Sequence, residues 1–313
     1  MRQSSVTSIP PGAHSVGALH GAGVSRGRLR SPRLARVATG LVVTPDSGLD
    51  LTEYRDRCLA VGRSLATGRF ISRRSAAAIL RIPAPPPPHR EVEVGVFTPA
   101  RAPRRAGLLG HRVRPDILET VSRDGVSIPN PADVWCQLSG VIGFEALVVA
   151  GDAIVSGTRI LNSGGQRSPA LATLDQLRSA HRRHSQGTGA PLRARALEAV
   201  RTGVDSPPES RLRLMVVGAG YPEPTVDCAV AVMIDGRHRE LHVDLGYPEL
   251  RIAIEYEGVH HFTDPRQVRL DLRRIEVLHE HGWRVIRVTA ADLRDPSNLL
   301  SRITKAFADA LAR

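Results

Sequence analysis

The hydrophobic pattern changes period along the chain. From Leu250 to Glu257 apolar and polar residues alternate with period 2, which predicts a strand. Ile252, Ile254 and Tyr256 fall on one face, and Ala253, Glu255 and Glu257 on the other. Thr225 to Ile234 and Arg237 to Leu245 read as two further strands, joined by the tight turn Asp235-Gly236. Gly246, Tyr247 and Pro248 make the next turn, so Asp244 is expected at a strand end. Val268 to His281 has helical spacing and stops at Gly282; Trp283 to Val288 is a fourth strand. Asp295-Pro296 opens a last helix with Leu299, Leu300, Ile303, Phe307 and Leu311 on one side. Upstream, Ser206-Pro207-Pro208-Glu209 supplies an N-cap, prolines in the first turn and a Glu at the third position. Leu212, Met215, Val216 and Ala219 form that helix's buried stripe, and Gly218–Gly220 ends it. The resulting order over 205–313, α-β-β-β-α-β-α, predicts an α/β domain: a mixed sheet with flanking helices.

Residues 21–204 pattern as a separate, mainly helical α+β region. Gly23 to Val43 begins with a turn and a short basic segment and ends in a β-prone run after Gly40. It resembles a shortened helix-turn-helix with a wing, in which Pro32 interrupts any long recognition helix. Thr52–Ala66 and Ile71–Ile82 are expected helices, the second with Ser72 as a candidate cap. Pro85–Pro88 is a rigid extended connection, and Glu91–Phe97 alternates as a strand. Arg101, Arg104 and Arg105 follow in a loop, then Gly110-His111-Arg112-Val113-Arg114. Val126–Ile128 leads through Pro129 and Pro131 into apolar helices over Ala132–Leu138 and Phe144–Val155, and amphipathic ones over Leu171–Arg183 and Leu192–Val200. His111, His181 and His184 are scattered and expected at the surface. Residues 1–20, rich in Ser, Gly and Pro, are expected to be poorly ordered.

Charge sharpens this division. The formal net charge is +12, but residues 1–205 carry 28 Lys+Arg against 15 Asp+Glu, and residues 206–313 carry 15 against 16. A basic front region beside a neutral back suits a partner rich in phosphates, DNA above all; biased genome composition is the competing explanation. No apolar run is long enough to span a bilayer, and the start has no signal-peptide stretch, so no membrane partner is expected. Cys58, Cys136 and Cys228 are far apart and odd in number, which fits a reducing cytoplasm and no zinc site.

The candidate chemistry lies in His242 to His261. Glu255 and Glu257 share a strand face in an apolar run, with Asp244 on the strand before. Such carboxylates repel one another and ask for a proton or a hard divalent ion, Mg²⁺ or Mn²⁺. Asp244, then ten residues, then Glu255-x-Glu257 resembles the PD-(D/E)xK nuclease motif. Closer still is the resemblance to restriction-endonuclease-like domains related to the very-short-patch-repair nucleases. It rests on Ser206, Pro207 and Glu209; Asp244; Glu255, Glu257 and Gly258; His260 and His261; Asp271 and Arg274; and Gly282, Trp283, Val285 and Arg287. One departure stands out: where the superfamily has Lys this chain has Glu257, and its one lysine, Lys305, lies outside the motif.

The resemblance implies a restriction-endonuclease-like fold over 205–313 and metal-assisted phosphodiester hydrolysis. Asp244 and Glu255 would be metal ligands, with Glu257 a third ligand or a holder of the attacking water. Glu209 is either a capping-box residue or a member of the site. His261 would assist the leaving oxygen, with His260 its competitor. Arg274 would contact phosphate, or form a surface pair with Asp271.

The front region is similar to abortive-infection-type (AbiEi-like) antitoxins. The similarity rests on Gly23-Val24-Ser25-Arg26, Ser72 to Ala77, Gly110-His111-Arg112, and Gly125-Val126-x-Ile128 leading to Pro131. It implies DNA binding, with Arg101, Arg104, Arg105 and Arg112 as phosphate contacts. Two readings stay open: a DNA endonuclease, or a DNA-binding antitoxin-like regulator whose nuclease-like domain is a scaffold. A homodimer is an open alternative partner.

Overall fold

A computed structural model describes residues 8–157, 167–258 and 265–313, without the side chains of 265–268 and 271. Helices and strands are mixed throughout, in an α/β fold. Two compact units result. One holds the chain up to Ala150 together with Ala172–Glu198, and the other Gly151–Leu171 together with Ala199–Arg313. The sequence boundary at 204/205 left Gly151–Leu171 with the front region. It joins the second unit because Asp152 is a buried partner of that unit's first helix, as described below.

In the N-terminal unit β1 (Ala13–Ser15), α1 (Val16–Gly21), α2 (Arg26–Leu29), β2 (Ala35–Ala38) and β3 (Leu41–Val43) form a small module. Its sheet runs β1-β3-β2, with β3 in the β-prone run expected after Gly40 and paired antiparallel to β2. Residues 13–20 are ordered, against expectation. Their backbone pairs with β3, and Leu19 is buried with Val24, Leu29, Leu34 and Val42.

Next come α3 (Tyr54–Arg63), β4 (Arg69–Ile71), α4 (Arg73–Leu80), β5 (Val92–Phe97) and β6 (Leu108–Val113). The sheet β4-β5-β6 is mixed, with β5 and β6 parallel. Gly110-His111-Arg112 is therefore strand rather than loop. A hairpin of β7 (Thr120–Arg123) and β8 (Val126–Pro129) precedes α5 (Pro131–Leu138) and α6 (Phe144–Ser156). The buried Trp135 donates its indole N–H to the Leu147 carbonyl at 2.9 Å. Helices α7 (Leu174–Arg183) and α8 (Ala190–Ala199) follow.

The C-terminal unit is built on a four-stranded mixed sheet in the order β12-β11-β10-β9. Helix α9 (Pro207–Gly218) precedes β9 (Thr225–Ile234) and β10 (Arg237–Tyr247). A single 3-10 turn over Pro248–Leu250 leads into β11 (Ile252–Tyr256). The parallel pairing of β11 with β12 (Arg284–Val288) requires a crossover, supplied by α10 (Pro265–Glu280). A short α11 (Ala290–Arg294), absent from the expected order, comes before α12 (Ser297–Leu311).

Both sheet faces are covered. Leu212 and Val216 of α9 and Leu299, Ile303 and Ala306 of α12 pack on Leu245, Ile252, Ile254, Ile286 and Val288. Val277 and Leu278 of α10 pack on Cys228, Val230, Val232, Val243 and Ala253 of the other face. Each fully buried aliphatic side chain contributes about 1.5–3 kcal/mol relative to exposure.

The β9–β10 ribbon changes face midway. Val226 and Cys228, two residues apart, should share a face, yet Val226 packs with the α9 side and Cys228 with the α10 side. Between them Asp227 has φ +50, a left-handed conformation that reverses the alternation. Val243 and Leu245 of β10 split in the same way around Asp244. The ladder keeps its register, with Val243 opposite Cys228 and Leu245 opposite Val226.

Candidate active site

Asp244 lies three residues inside the end of β10, not at its end as expected, because β10 continues to Tyr247. Leu245 pairs with Ile254 across the ladder, which places Asp244 beside Glu255. Asp244 Oδ2 accepts the Tyr256 N–H at 2.7 Å. Burial pushes its carboxyl from an ordinary 3.8 up to about 8. Repulsion from Glu209 and Glu255 adds to the rise; the Tyr256 N–H and the Arg274 charge oppose it.

Glu255, one residue before the end of β11, is 8% exposed. Its Oε1 is 2.6 Å from Nη2 of Arg274 on α10, and the same nitrogen donates to the His242 carbonyl. Arg274 is thus a member of the site. The alternative pair with Asp271 falls on a side chain outside the described residues.

Glu209 makes the capping-box contacts and also lines the cleft beside Asp244. It accepts the Ser206 hydroxyl at 2.7 Å and the Asp205 N–H at 2.9 Å, and its own N–H donates to Ser206 Oγ at 3.4 Å. That is local capping, yet its carboxylate also faces the Asp244 cleft. Burial raises its pKa, against the hydrogen bonds from Ser206 and Asp205.

The cleft has a volume of about 240 Å³ and gathers Asp205, Glu209, Asp227 and Asp244 with His242 and Arg274. His242 and Asp227 were not foreseen. The His242 ring is 2.8 Å from Asp227 through Nδ1 and 3.0 Å from Glu240 through Nε2. Arg167 balances part of the acidity, 2.7 Å from Asp205 and 3.5 Å from Asp227. Motif spacing gave no signal for these groups, although alternation along β10 places His242 and Asp244 at neighbouring polar positions.

Glu257 is separate from this group. It lies just past β11, where its N–H donates to the Val288 carbonyl at 2.7 Å and its carboxylate pairs with Arg287 of β12. Neither it nor Glu255 lines the cleft, but Glu255 is joined to the cleft residue Arg274, whereas Glu257 is held by Arg287. His260 and His261 lie outside the described residues.

Among the described residues, no group of three or more His, Cys, Asp or Glu side chains has an arrangement that could hold a metal ion. Of the expected ligands, Asp244 and Glu255 are brought together. Two carboxylates that repel one another on adjacent strands are a donor set suited to a hard divalent ion. The Arg274 guanidinium now supplies the positive charge beside Glu255.

A second buried acid was also missed. Asp152 is fully buried and accepts from Arg213 at 3.1 Å, Ser210 at 2.7 Å and the Arg201 N–H at 2.8 Å. Burial raises its pKa, against the neighbouring Arg213 charge. This pair is internally balanced, which marks it as part of the scaffold.

In the N-terminal unit, Arg101, Arg104, Arg105 and Arg112 are exposed. The first three lie in the loop between β5 and β6, as expected, and Arg112 lies in β6 itself. The histidines depart from expectation. His184 is buried with Nε2 3.0 Å from Asp133. His111 is half-buried, with both ring nitrogens shielded from solvent. Nor does Ser72 cap α4, since its hydroxyl makes no capping bond. No helix among the described residues is long and apolar enough to cross a membrane.

No protein-family model matches the chain. Two curated proteins of Mycobacterium tuberculosis, from strain CDC 1551 / Oshkosh and strain ATCC 25618 / H37Rv, are similar to it and are each named only as an uncharacterized protein. Each is 31% identical over 153 residues, which is 45% of this chain and 55% of the relative. The chain therefore spans about half the length of the curated relatives it matches.

Proposed function

We propose that the chain is a metal-dependent DNA endonuclease that hydrolyses phosphodiester bonds in the cytoplasm, with its basic front region holding the DNA. The observation that carries this reading is the Asp244–Glu255 pair, set side by side on neighbouring strands, with Asp244 and Arg274 lining the cleft and Arg274 against Glu255. A Mg²⁺ or Mn²⁺ ion bound there supplies charge neutralisation for the phosphodiester and acidifies the attacking water. Asp244 and Glu255 are the residues that would hold it.

Arg274 then has a second task. If Asp244 and Glu255 held an ion, the planar guanidinium of Arg274 would be free to leave Glu255 and pair with a phosphate oxygen. This would restore positive charge that the superfamily draws from its lysine. Glu209 and Asp244 hold protons more tightly than ordinary carboxyls, which reduces the negative charge of the cleft. Arg101, Arg104, Arg105 and Arg112 supply phosphate contacts from the front region.

The second reading is a DNA-binding, antitoxin-like regulator with an inactive nuclease-like scaffold. It is favoured by the Glu257–Arg287 and Glu255–Arg274 ion pairs, which neutralise two of the expected ligands within the protein.

The deciding experiment is cleavage of supercoiled and linear DNA with Mg²⁺ or Mn²⁺ by wild type, Asp244→Asn and Glu255→Gln. Each substitution removes a charge while nearly preserving shape, so cleavage should fall by about 10³ or more. DNA binding should remain. Metal should raise the melting temperature of wild type more than that of either variant. Absence of wild-type cleavage, with equal metal response in all three proteins, would establish the scaffold reading.

A further inference from the structure

Strand β7 leaves one edge of its hairpin open. Asp124 has φ +52 and Gly125 φ +77, the two left-handed residues of a type I′ turn. That turn makes Arg123 and Val126 the closing pair, and the register continues through Ser122–Ser127, Val121–Ile128 and Thr120–Pro129. Hydrogen-bonded and non-hydrogen-bonded pairs alternate along an antiparallel ladder. The peptide groups of Arg123 and Val121 therefore turn towards β8, and those of Ser122 and Thr120 turn away. Two observations agree with this phase. Pro129, opposite Thr120, has no N–H to give, and the Asn130 N–H donates to the Glu119 carbonyl at 3.2 Å, the next inward position.

Strand β8 is covered. Val126 and Ile128 are buried, and a β-carbon on Gly62 of α3 would overlap Val126. All of β7, in contrast, is exposed, and no other strand among the described residues pairs with it. The outward N–H and C=O groups of Thr120 and Ser122 make no hydrogen bond among the described residues. Val121 shares a face with buried Ile128 but is 44% exposed, because β7 ends the sheet there. Neither a proline nor a bulge interrupts β7, devices that commonly guard an edge.

The edge is complementary to itself. Set antiparallel to a second copy about Val121, it places Thr120 opposite the copy's Ser122, so every outward peptide group finds a partner. Glu119 then faces the copy's Arg123 on both sides of the axis, and Val121 meets its equivalent on the axis. A shift in either direction would set Val121 against Glu119 or Arg123. Neither charge has an ion pair of its own among the described residues. Asp124, beside Arg123, is already held by Arg55 at 2.6 Å. There is room for the pairing: each α3 stays over its own β8, and three strand spacings, about 14 Å, separate β8 from its equivalent. Packed helices need only about 8–10 Å.

We propose that β7 is the surface through which two copies of this chain associate, as antiparallel neighbours in one continued sheet with Val121 on the twofold axis. So short a strand buries less than the roughly 1,200 Å² of a stable interface, so the dimer is reversible and forms as concentration rises. The pairing owes nothing to the chemistry proposed for the C-terminal cleft.

The test is sedimentation velocity of the full chain over a concentration series, with wild type, Arg123→Glu, the double variant Glu119→Arg/Arg123→Glu, and Ser122→Pro. Arg123→Glu sets like charges against each other on both sides of the axis and should weaken association by about tenfold or more. The double variant exchanges the charges and should recover the wild-type affinity, which a general loss of stability cannot produce. Ser122→Pro removes an N–H that serves only the second copy, so association should vanish while the melting temperature stays near that of wild type. Should that variant unfold, the charge exchange decides alone. A wild-type chain that is monomeric at every concentration overturns the proposal. Self-association that is unchanged in Arg123→Glu also overturns it, because the contact then lies elsewhere on the molecule.

Discussion

In the C-terminal cleft, Asp205, Glu209, Asp227 and Asp244 are gathered together, with Arg167 and Arg274 lying against part of that charge. Around α4 in the N-terminal unit the sign is reversed. The buried acid Glu93 is held by Arg74 and also attracts Arg73, while the ring nitrogens of His111 and Nε2 of Gln137 are buried without a partner among the described residues. Both regions bury polar groups, as does Asp152 with Arg213, Ser210 and Arg201. What separates them is balance. Asp152 and Arg213 offset each other's charge, and Arg213 is also held by Glu223 and the Ala199 carbonyl. Among the described residues the cleft gathers more carboxylates than cations, which favours protons or a cation, whereas the α4 terminus sets two arginines against one buried carboxylate. Burial of a charged side chain therefore does not mark a site; burial without internal compensation does.

The strongest way to break this contrast is to unbalance the balanced pair. Arg213→Met leaves Asp152 buried without its cation and should cost the C-terminal unit about 3–5 kcal/mol in urea unfolding. A loss below about 1 kcal/mol would mean the pair is not structural. A fragment of residues 205–313 removes Asp152 in another way and should unfold less cooperatively than the second unit does in the intact chain.

A smaller effect concerns Asp244 and pH. Its folded carboxyl keeps its proton to about 8, whereas the unfolded group releases it near 3.8. The folded state therefore binds the extra proton, and this stability is complete at low pH and lost as pH rises towards 8. Asp244→Asn cannot lose it. Wild type should fall behind this variant in melting temperature by several degrees between about pH 5 and pH 8.5. Metal affinity should rise over the same range, because the ion competes with the proton. Parallel melting curves for the two proteins would show that Asp244 is already ionised.

The smallest effect sharpens the comparison within the motif. Glu257 forms a partly exposed ion pair with Arg287, so Glu257→Gln should cost less than about 1 kcal/mol. If Glu257 takes no part in the chemistry, cleavage should stay within about fivefold of wild type. Loss of cleavage as large as that of Asp244→Asn would return Glu257 to the site.

Local chemistry was enough to determine much of this protein from its sequence. Alternation along Leu250–Glu257 set Glu255 on the face opposite Ile252 and Ile254, and the Asp235-Gly236 turn fixed the β9–β10 ribbon. Ser206 and the prolines after it determined where α9 begins. These features depend on residues two to four positions apart, so they are legible along the chain. Tertiary structure decided which of the predicted acids meet. Glu257 follows the same alternation as Glu255, but Arg287 on the neighbouring parallel strand captures it. Asp227 and His242 enter the cleft through a left-handed residue in the middle of a strand that the pattern reads as continuous. Asp152 reaches Arg213 across a separation of 61 residues, and His184 reaches Asp133 across 51. Charge balance at a buried site is a sum over groups supplied by different elements, and no local pattern along the chain carries that sum.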